Sequence, residues 1–433
     1  MALGGGTFTV QNKVLPGAYI NFVSASAASN IFGDRGVAAM ALPLDWGPDN
    51  TVFEVSGEDF LKNCRALFGC GQSDPSMRGL RDLFLHVNTL FAYKLTSKGK
   101  KAENDFAKAL YTGARGNDLS IAIEEPEAGV YIVRTLMDGD EVDAQTVAGA
   151  GELKANKFVA WKPGAVLAAT AGTPLTGGET GEADAGAHEA FLQAIEPYSF
   201  NTLGAVTTDE TIKTLYTLFT KRMREEEGVK FQTVLYHKDA DYPGVINVKN
   251  RVLDEGEEEA SLVYWVTGME AACAVNRSCQ NARYDGEFAV DTAYSQAQLR
   301  DAILSGEFVL HQVGKEVRVL DDINSMVSLT ADLGEVFREN QTMRVVDQIA
   351  NDIAVLFRDK YLGLVPNDAA GRVSLWADIV HHHETLAQLR AIENFEDSDV
   401  EVLPGETKKS VVVHDVITVV NAMSKLYMTV TVV

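Results

Sequence analysis

Between residues 187 and 330, helical and extended segments alternate, and that rhythm constrains the fold more than any other feature of the chain. Residues 187–196 have the apolar spacing of a helix and residues 199–206 that of a strand. A helix over 208–227 follows, with its stripe at Ile212, Leu215, Tyr216, Phe219 and Met223 and a capping box between Thr207 and Glu210. Strands at 229–236 and 244–248 and a helix at 261–275 complete the series. Alternation of this kind buries a parallel sheet beneath helices on both faces, so a central doubly wound α/β domain is expected.

The flanking regions have other periods. Residues 37–42 read as a short buried strand and 45–48 as turn chemistry. Residues 57–68 read as a helix with Phe60, Leu61, Cys64, Leu67 and Phe68 inward, Ser56 as N-cap and Gly69 as C-cap. From 93 to 178, short β-rich pieces at 119–123, 130–136, 158–161 and 165–168 are separated by Gly and Pro, which predicts a β-sandwich-like insert left through a glycine-rich loop at 171–186. Beyond 330 come two helices. One covers 339–357, with Met343, Val346, Ile349, Ile353, Leu356 and Phe357 on its stripe; the other covers 374–392, with Leu375, Ile379, Leu386, Leu389 and Ile392. Strands at 400–403, 409–420 and 425–433 follow.

Both ends are β-prone without an evident local partner. Near the start, Phe8, Val10, Val14, Tyr19, Ile20 and Phe22 fall on two alternating segments around the Pro16-Gly17 turn. At the other end, Leu426, Met428, Val430 and Val432 share one face of a strand, with Tyr427, Thr429 and Thr431 on the opposite face. Such edges invite strand addition between chains. The expected organisation is an N-terminal arm (1–25), a small α/β part (26–92), the insert (93–178), the central α/β domain (179–330), an α+β C-terminal domain (331–420) and a C-terminal β-arm (421–433). The fold class is an α+β multidomain protein with extended arms.

Composition narrows the function. With 38 Lys and Arg against 61 Asp and Glu, the formal charge is −23, which disfavours nucleic acid and anionic membranes as partners. No apolar run approaches the ~18–20 residues of a membrane span, and residues 1–6 lack the basic and apolar regions of a signal peptide. The four cysteines (Cys64, Cys70, Cys273 and Cys279) form two pairs spaced six apart, which fits neither a CxxC redox motif nor a zinc knuckle; they read as reduced thiols.

Catalytic patterns are weak. His381-His-His-Glu384 lacks the second histidine of HExxH, because position 387 is Ala387. Successive helical residues point about 100° apart, so the three histidines cannot converge on one metal and read as a solvated or interface face. Asp138-Gly-Asp-Glu-Val-Asp143 lacks the glycine and the bidentate glutamate of a calcium loop and reads as a polar turn. There is no P-loop, no dinucleotide fingerprint at Gly113-Ala-Arg-Gly116 and no GxSxG elbow. The expectation is no catalytic residue, no metal and no cofactor.

A set of strings spread over the whole chain resembles the tail sheath proteins of contractile-tailed bacteriophages, in the form found in phages and defective prophages of Gram-positive bacteria. These are Leu15-Pro-Gly-Ala-Tyr-Ile-Asn-Phe22, Ala41-Leu-Pro-Leu-Asp-Trp-Gly-Pro48, Gly113-Ala-Arg-Gly-Asn-Asp118, Tyr198-Ser-Phe-Asn-Thr-Leu203, Gly228-Val-Lys-Phe-Gln-Thr-Val-Leu235, Tyr284-Asp-Gly-Glu-Phe288, Val365-Pro-Asn-Asp-Ala-Ala-Gly-Arg372 and Asn421-Ala-Met-Ser-Lys-Leu-Tyr-Met428. No single string is diagnostic; their order and spread are. Sheaths of phage-tail-like bacteriocins are similar.

The resemblance implies a structural subunit, not an enzyme, that polymerises as stacked sixfold rings around a tail tube and contracts to drive the tube through a cell envelope. It implies a central domain of subtilisin-like fold without protease chemistry. The arms, through the N-terminal residues named above and Leu426, Tyr427, Met428, Thr429, Val430 and Val432, would add strands to neighbouring subunits. The implied partners are further copies of the chain, the tail tube protein, and baseplate and tail terminator proteins, with no direct nucleic acid and no membrane insertion. The implied location is a virion tail or phage-tail-like particle made in the host bacterial cytoplasm. Arg338, Arg344 and Arg358 are expected to pair with acids of neighbouring subunits, and Arg372, His381, His382, His383 and Arg390 to face the tube. The competing readings are a cytosolic α/β enzyme and another self-assembling shell protein.

Overall fold

A computed structural model of the chain describes residues 35–96 and 98–432, which form two compact units. One contains residues 40–78 and 89–195, the other 35–39, 79–88 and 196–432. The stretch 26–92 is therefore not a separate part: its described residues are divided between the two. Backbone bonds explain the division, since Asn201 N donates to Val37 O (2.8 Å) and Asn88 N to Gly36 O (2.8 Å), tying 35–39 and 79–88 to the larger unit. The N-terminal arm lies outside the described residues.

The smaller unit starts in β1 (Val37–Leu42), which carries the chain into it, and continues through β2 (Val52–Ser56) and α1 (Gly57–Phe68). Helix α2 (Arg78–Phe84) falls in the other unit from Gly79 onward. There follow β3 (Thr89–Lys94), β4 (Ala107–Ala109), β5 (Leu119–Glu127), β6 (Val130–Met137), β7 (Asp140–Val147), β8 (Val159–Trp161), β9 (Thr170–Pro174) and α3 (Ala185–Ile195). Helix α1 begins at the expected cap: Ser56 Oγ accepts from Asp59 N at 3.1 Å, Asp59 answers Ser56 N, and Gly69 ends the helix. Strands β2 and β3 pair antiparallel, as do β4 and β8, and the sheet β7-β6-β5-β9 is antiparallel throughout. Leu119, Ile121 and Ile123 of β5 share one core with Val159 of β8 and with Trp46, giving two sheets over common apolar contents.

Two expectations fail here for local reasons. Residues 165–168 form no strand; the fourth strand of the sheet is β9. The acidic run 138–143 is not one turn: Asp138 (φ 57°) and Gly139 (φ 85°) make a two-residue hairpin with both φ positive, and Asp140 already opens β7 opposite Met137.

Gly113 shows what its string does for the fold. Its φ is 130°, and a Cβ there would lie 1.8 Å from Asp45 O, while the next arginine, Arg115, bonds Asp138, Asp118 and Gly69 O. Gly113→Ala is expected to destabilise this unit by roughly 2–5 kcal/mol, as backbone strain plus overpacking, read as a drop in the denaturant midpoint. An unchanged midpoint would remove this account of the string.

The larger unit carries the expected parallel sheet. It runs through β10 (Thr202–Ala205), α4 (Glu210–Arg222), β11 (Gln232–Tyr236), β12 (Val245–Val248), α5 (Leu262–Ala272), α6 (Gln296–Leu304) and β13 (Glu307–Phe308). Strands β10 to β13 are neighbours in that order and parallel. Every residue of β10, β11 and β12 is buried, so both faces are covered. The cap of α4 is Asp209, which accepts from Thr211 N and Ile212 N, and not the Thr207–Glu210 box; Thr207 Oγ1 accepts from Asp209 N instead. A hairpin, β14 (Leu310–Val313) and β15 (Glu316–Val319), follows.

The string at 284–288 also serves the fold. Tyr284 Oη donates to Asp82 Oδ2 (2.7 Å), Glu287 N donates to Asp82 Oδ1 (2.8 Å), and Arg81 grips the Glu287 carboxylate at 2.6 and 2.7 Å. The chain then enters α7 (Asn340–Leu356) and α8 (Ala369–Gln388), whose apolar faces pack together, and ends in β16 (Ile392–Glu393), β17 (Val400–Pro404), β18 (Val411–Asp415) and β19 (Thr418–Val419). Strands β17 and β18 pair antiparallel, as do β16 and β19.

Candidate assembly interface

The last paired residues of the chain are held firmly. Val420 N donates to Ala391 O at 2.9 Å, next to the β16–β19 ladder. Gln341 on the first turn of α7 donates from Nε2 to Val420 O (3.0 Å) and accepts Ala422 N on Oε1 (2.9 Å). Asn421 donates to Thr342 Oγ1 at 3.1 Å. Gln341 and Thr342 are buried, so this clamp sits in the body of the unit.

Beyond it the chain changes abruptly. Residues 421–432 form no strand and are exposed throughout, with Leu426 86%, Tyr427 90%, Met428 74%, Val430 70% and Val432 91% accessible. The strand expected at 425–433 thus forms no ladder over residues 425–432; residue 433 lies outside the described residues. A strand needs a partner edge, and nothing among the described residues pairs with this one. A run of large apolar side chains left in water on a clamped root is a surface that mass action covers by association.

Helix α7 corrects a second expectation. Its stripe is inward as read, but every residue from Asn340 to Ala350 is buried, so its polar side faces protein too. Arg344, expected to reach a neighbouring subunit, bonds Glu270 Oε2, Asp322 Oδ2 (2.6 Å) and Arg277 O (3.0 Å) with its side chain 1% exposed. Asp347 takes a bidentate pair from Arg224 at 2.6 and 2.7 Å. Burial, with Arg224 adding, brings the nearby Lys230 down to about 8. Of the other two arginines, Arg358 is exposed and pairs with its neighbour Asp359, and Arg338 donates to Ile303 O. A helix buried all round must neutralise its charges internally, because desolvated ions without partners cost several kcal/mol each.

The histidines divide. His381 is exposed beside Glu384. His382 and His383 are fully buried, so neither can face a tube nor form part of a solvated face. His382 Nε2 meets Asp352 Oδ2 on α7 (3.2 Å), His383 Nε2 meets Asp415 Oδ2 on β18 (3.1 Å), and the two Nδ1 atoms are 3.3 Å apart. Burial pushes the Asp415 carboxyl up.

Burial, with His383 and then His381 adding, pushes His382 well below the ordinary imidazole value of 6.5. Above 6.5 neither folded nor unfolded His382 is charged. Below it only the unfolded chain binds the proton, so stability falls as pH falls. Acidification from pH 7 to 5 should cost about 2 kcal/mol through this residue, and His382→Gln should flatten that slope in urea titrations at the two pH values. An equal slope in the variant would place the acid sensitivity elsewhere.

The remaining tube-facing candidates differ in availability. Arg372 is half-buried and donates to Asn367 Oδ1 (3.0 Å), while Asn367 Nδ2 donates to Ser410 O (2.8 Å), so it braces the start of α8. Arg390, just past α8, is exposed with φ 61°. One group among the described residues has ligand atoms close enough for a metal: Glu270, Cys279 and Asp322, within 4.8 Å of one another. Arg344 is bonded to both carboxylates, so the position already holds a cation. Residue spacing does not reveal this network, because Arg344, Asp347 and Gln348 sit where a solvated face would also put them.

Comparison with known proteins defines the class. A family profile described as the phage tail sheath protein central domain matches residues 181–325, and one described as the phage tail sheath C-terminal domain matches residues 332–433. The chain belongs to the phage tail sheath family. It is 30% identical to the phage-like element PBSX protein XkdK of Bacillus subtilis, over 98% of this chain and 99% of that one. It is 29% identical to the tail sheath protein of Clostridium phage phiCD119, over 41% of this chain and 51% of that one. Among solved structures, the sheath tail protein from Desulfitobacterium hafniense superimposes with a TM-score of 0.77 at 32% identity, covering 93% of this chain and all of that one. The contracted helical sheath of the anti-feeding prophage, at 13% identity and a TM-score of 0.56, shares the fold.

Proposed function

We propose that this chain is the sheath subunit of a phage tail or phage-tail-like particle, polymerising as stacked sixfold rings around the tail tube and contracting to drive the tube through the target envelope. The observation that carries this reading is the exposed apolar segment 423–432 on its buried clamp at Gln341 and Thr342. The segment adds a strand to a neighbour's sheet, and the N-terminal residues 7–23 do the same in the other direction. Each subunit is then tethered to several others, and the tethers persist while the bodies slide to larger mutual contacts.

In this reading the chain is not an enzyme and takes no cofactor. The central domain around the parallel sheet β10–β13 has a subtilisin-like fold without protease chemistry and serves as a scaffold. The partners are other copies, the tube protein, and baseplate and terminator proteins, in a particle assembled in the bacterial cytoplasm without nucleic-acid contact or membrane insertion. Among the described residues no helix is long and apolar enough to cross a membrane. His381 and Arg390 retain the tube-facing role. Electron microscopy of the purified protein at high concentration should show tubes or helical polymers. Monomers or small closed oligomers at every concentration would reject the proposal.

A further inference from the structure

The exposed tail is rooted by a side chain where the ladder ends. Strand β19 stops at Val419, and Val420 N still reaches Ala391 O at 2.9 Å beside β16. Past that point Gln341 stands in for a strand. Its Nε2 donates to Val420 O (3.0 Å) and its Oε1 accepts from Ala422 N (2.9 Å). Bonding the carbonyl before Asn421 and the N–H after it is how one residue of a parallel strand holds its neighbour. Asn421 Nδ2 adds a bond to Thr342 Oγ1 at 3.1 Å.

Two features set this contact apart from ordinary packing. Gln341 is 3% exposed, and both of its polar side-chain atoms are spent on the tail. Its backbone is fixed, because the preceding Asn340 donates from N to Asp322 O (2.9 Å) and accepts on Oδ1 from Gln232 Nε2 of β11 (2.9 Å). The root is therefore tied to the central parallel sheet as well as to β16. The fold has little need of the clamp, since Val420 is half-buried and Ala422 exposed, where water replaces a lost amide partner.

We infer that Gln341 is the positioning residue of the C-terminal arm. It holds residues 420–422 in one conformation, so the arm leaves the unit in a set direction and meets a second copy of the chain already ordered at its root. The inference rests on the arm reading given above. A root free to rotate has to be ordered when the arm docks, which costs roughly tenfold in affinity for each residue fixed. Gln341 thus lowers the concentration at which chains polymerise.

The test compares full-length variants below and above the concentration at which the parent polymerises. Gln341→Met keeps the buried volume and loses both bonds. It should raise the polymerisation threshold about tenfold in sedimentation, at a nearly parental urea midpoint. In the monomer, hydrogen exchange of the peptide spanning 420–422 should speed up by about tenfold or more. Gln341→Glu keeps the acceptor but sets a carboxylate oxygen against Val420 O, and should do at least as much. Should neither fold, Asn421→Ala decides: it alters an exposed residue, loses only the contact with Thr342, and should raise the threshold about threefold. A packing role alone predicts a parental threshold in Gln341→Met, and that result with a polymerising parent overturns this inference alone. A threshold shift matched by an equal loss of global stability overturns it as well. No polymer from the parent overturns the arm reading and this inference together.

Discussion

Deleting residues 426–433 should leave a folded chain that no longer polymerises. The expected persistence of the fold comes from exposure: Leu426, Met428, Val430 and Val432 are 70–91% exposed and belong to no core of the described residues, and the clamp at Val420–Ala422 remains. Loss of polymer comes from the energetics of the segment. Burying four such side chains yields roughly 6–12 kcal/mol, and ordering about eight residues costs about 8–16 kcal/mol. Ladder hydrogen bonds at about 0.5–1.5 kcal/mol each bring the two sides level. A single arm exchange is therefore weak, and only a lattice in which every subunit is held several times becomes firm. Truncation removes the term that tips the balance. Sedimentation should show monomer at concentrations where the full chain forms polymer, with an unchanged melting temperature. Normal polymers from the truncated chain would end the arm assignment.

Arg344→Met should be the most destabilising single change in the larger unit, at about 3–5 kcal/mol, because it strands Asp322 and Glu270 without their counter-charge in a dry interior. Burial opposes ionisation of Asp322, but Arg344 foremost, with hydrogen bonds from Glu270 and Cys279 N, outweighs it and holds the carboxyl at about 2 against its ordinary 3.8. Glu270 moves the other way, raised by burial and by the charge of Asp322.

The sign for Asp322 follows from its lowered value. Its contribution, about 2–3 kcal/mol, is present above pH 4 and is lost as pH falls from about 4 to about 2. Without Arg344 the hydrogen bonds from Ser278 Oγ, Cys279 N and Asn340 Nδ2 no longer offset burial, and Asp322 must take a proton to stay inside. The variant should become more stable on acidification from pH 7 to 4, the reverse of the Asp322 contribution in the parent. The triple change Glu270→Gln, Asp322→Asn, Arg344→Met should recover most of the lost stability, since neutral groups need no counter-ion. A single variant with parental stability at pH 7 would refute the electrostatic reading.

Where local chemistry and tertiary contact agreed, residue pattern was a sufficient guide. Helix α1 has its Ser56 box and Gly69 terminus where read, and the parallel series β10 to β12 lies within the expected segments. Where they competed, contact won. Thr207 and Glu210 have capping-box spacing, yet Asp209 is two residues closer to the helix than Thr207 and takes the bonds. Asp138-Gly139 was legible as a turn, but not that Asp140 would open a strand, because a run so acidic becomes a strand only beside a paired β6. The strings that carry the family resemblance prove to be fold hardware, such as Gly113 against Asp45 and Tyr284 against Asp82.

By itself, the order of residues determined the class of fold, the α/β rhythm, the β-prone tail and the family, because periodicity, caps and turn residues act over a few neighbours and are written in adjacent letters. Tertiary structure alone decided which charged and polar residues are inside. Arg344, His382 and His383 read as surface until Glu270, Asp322, Asp352 and Asp415, distant in sequence, are placed against them. The free energy of a buried charge depends on partners that no local pattern specifies.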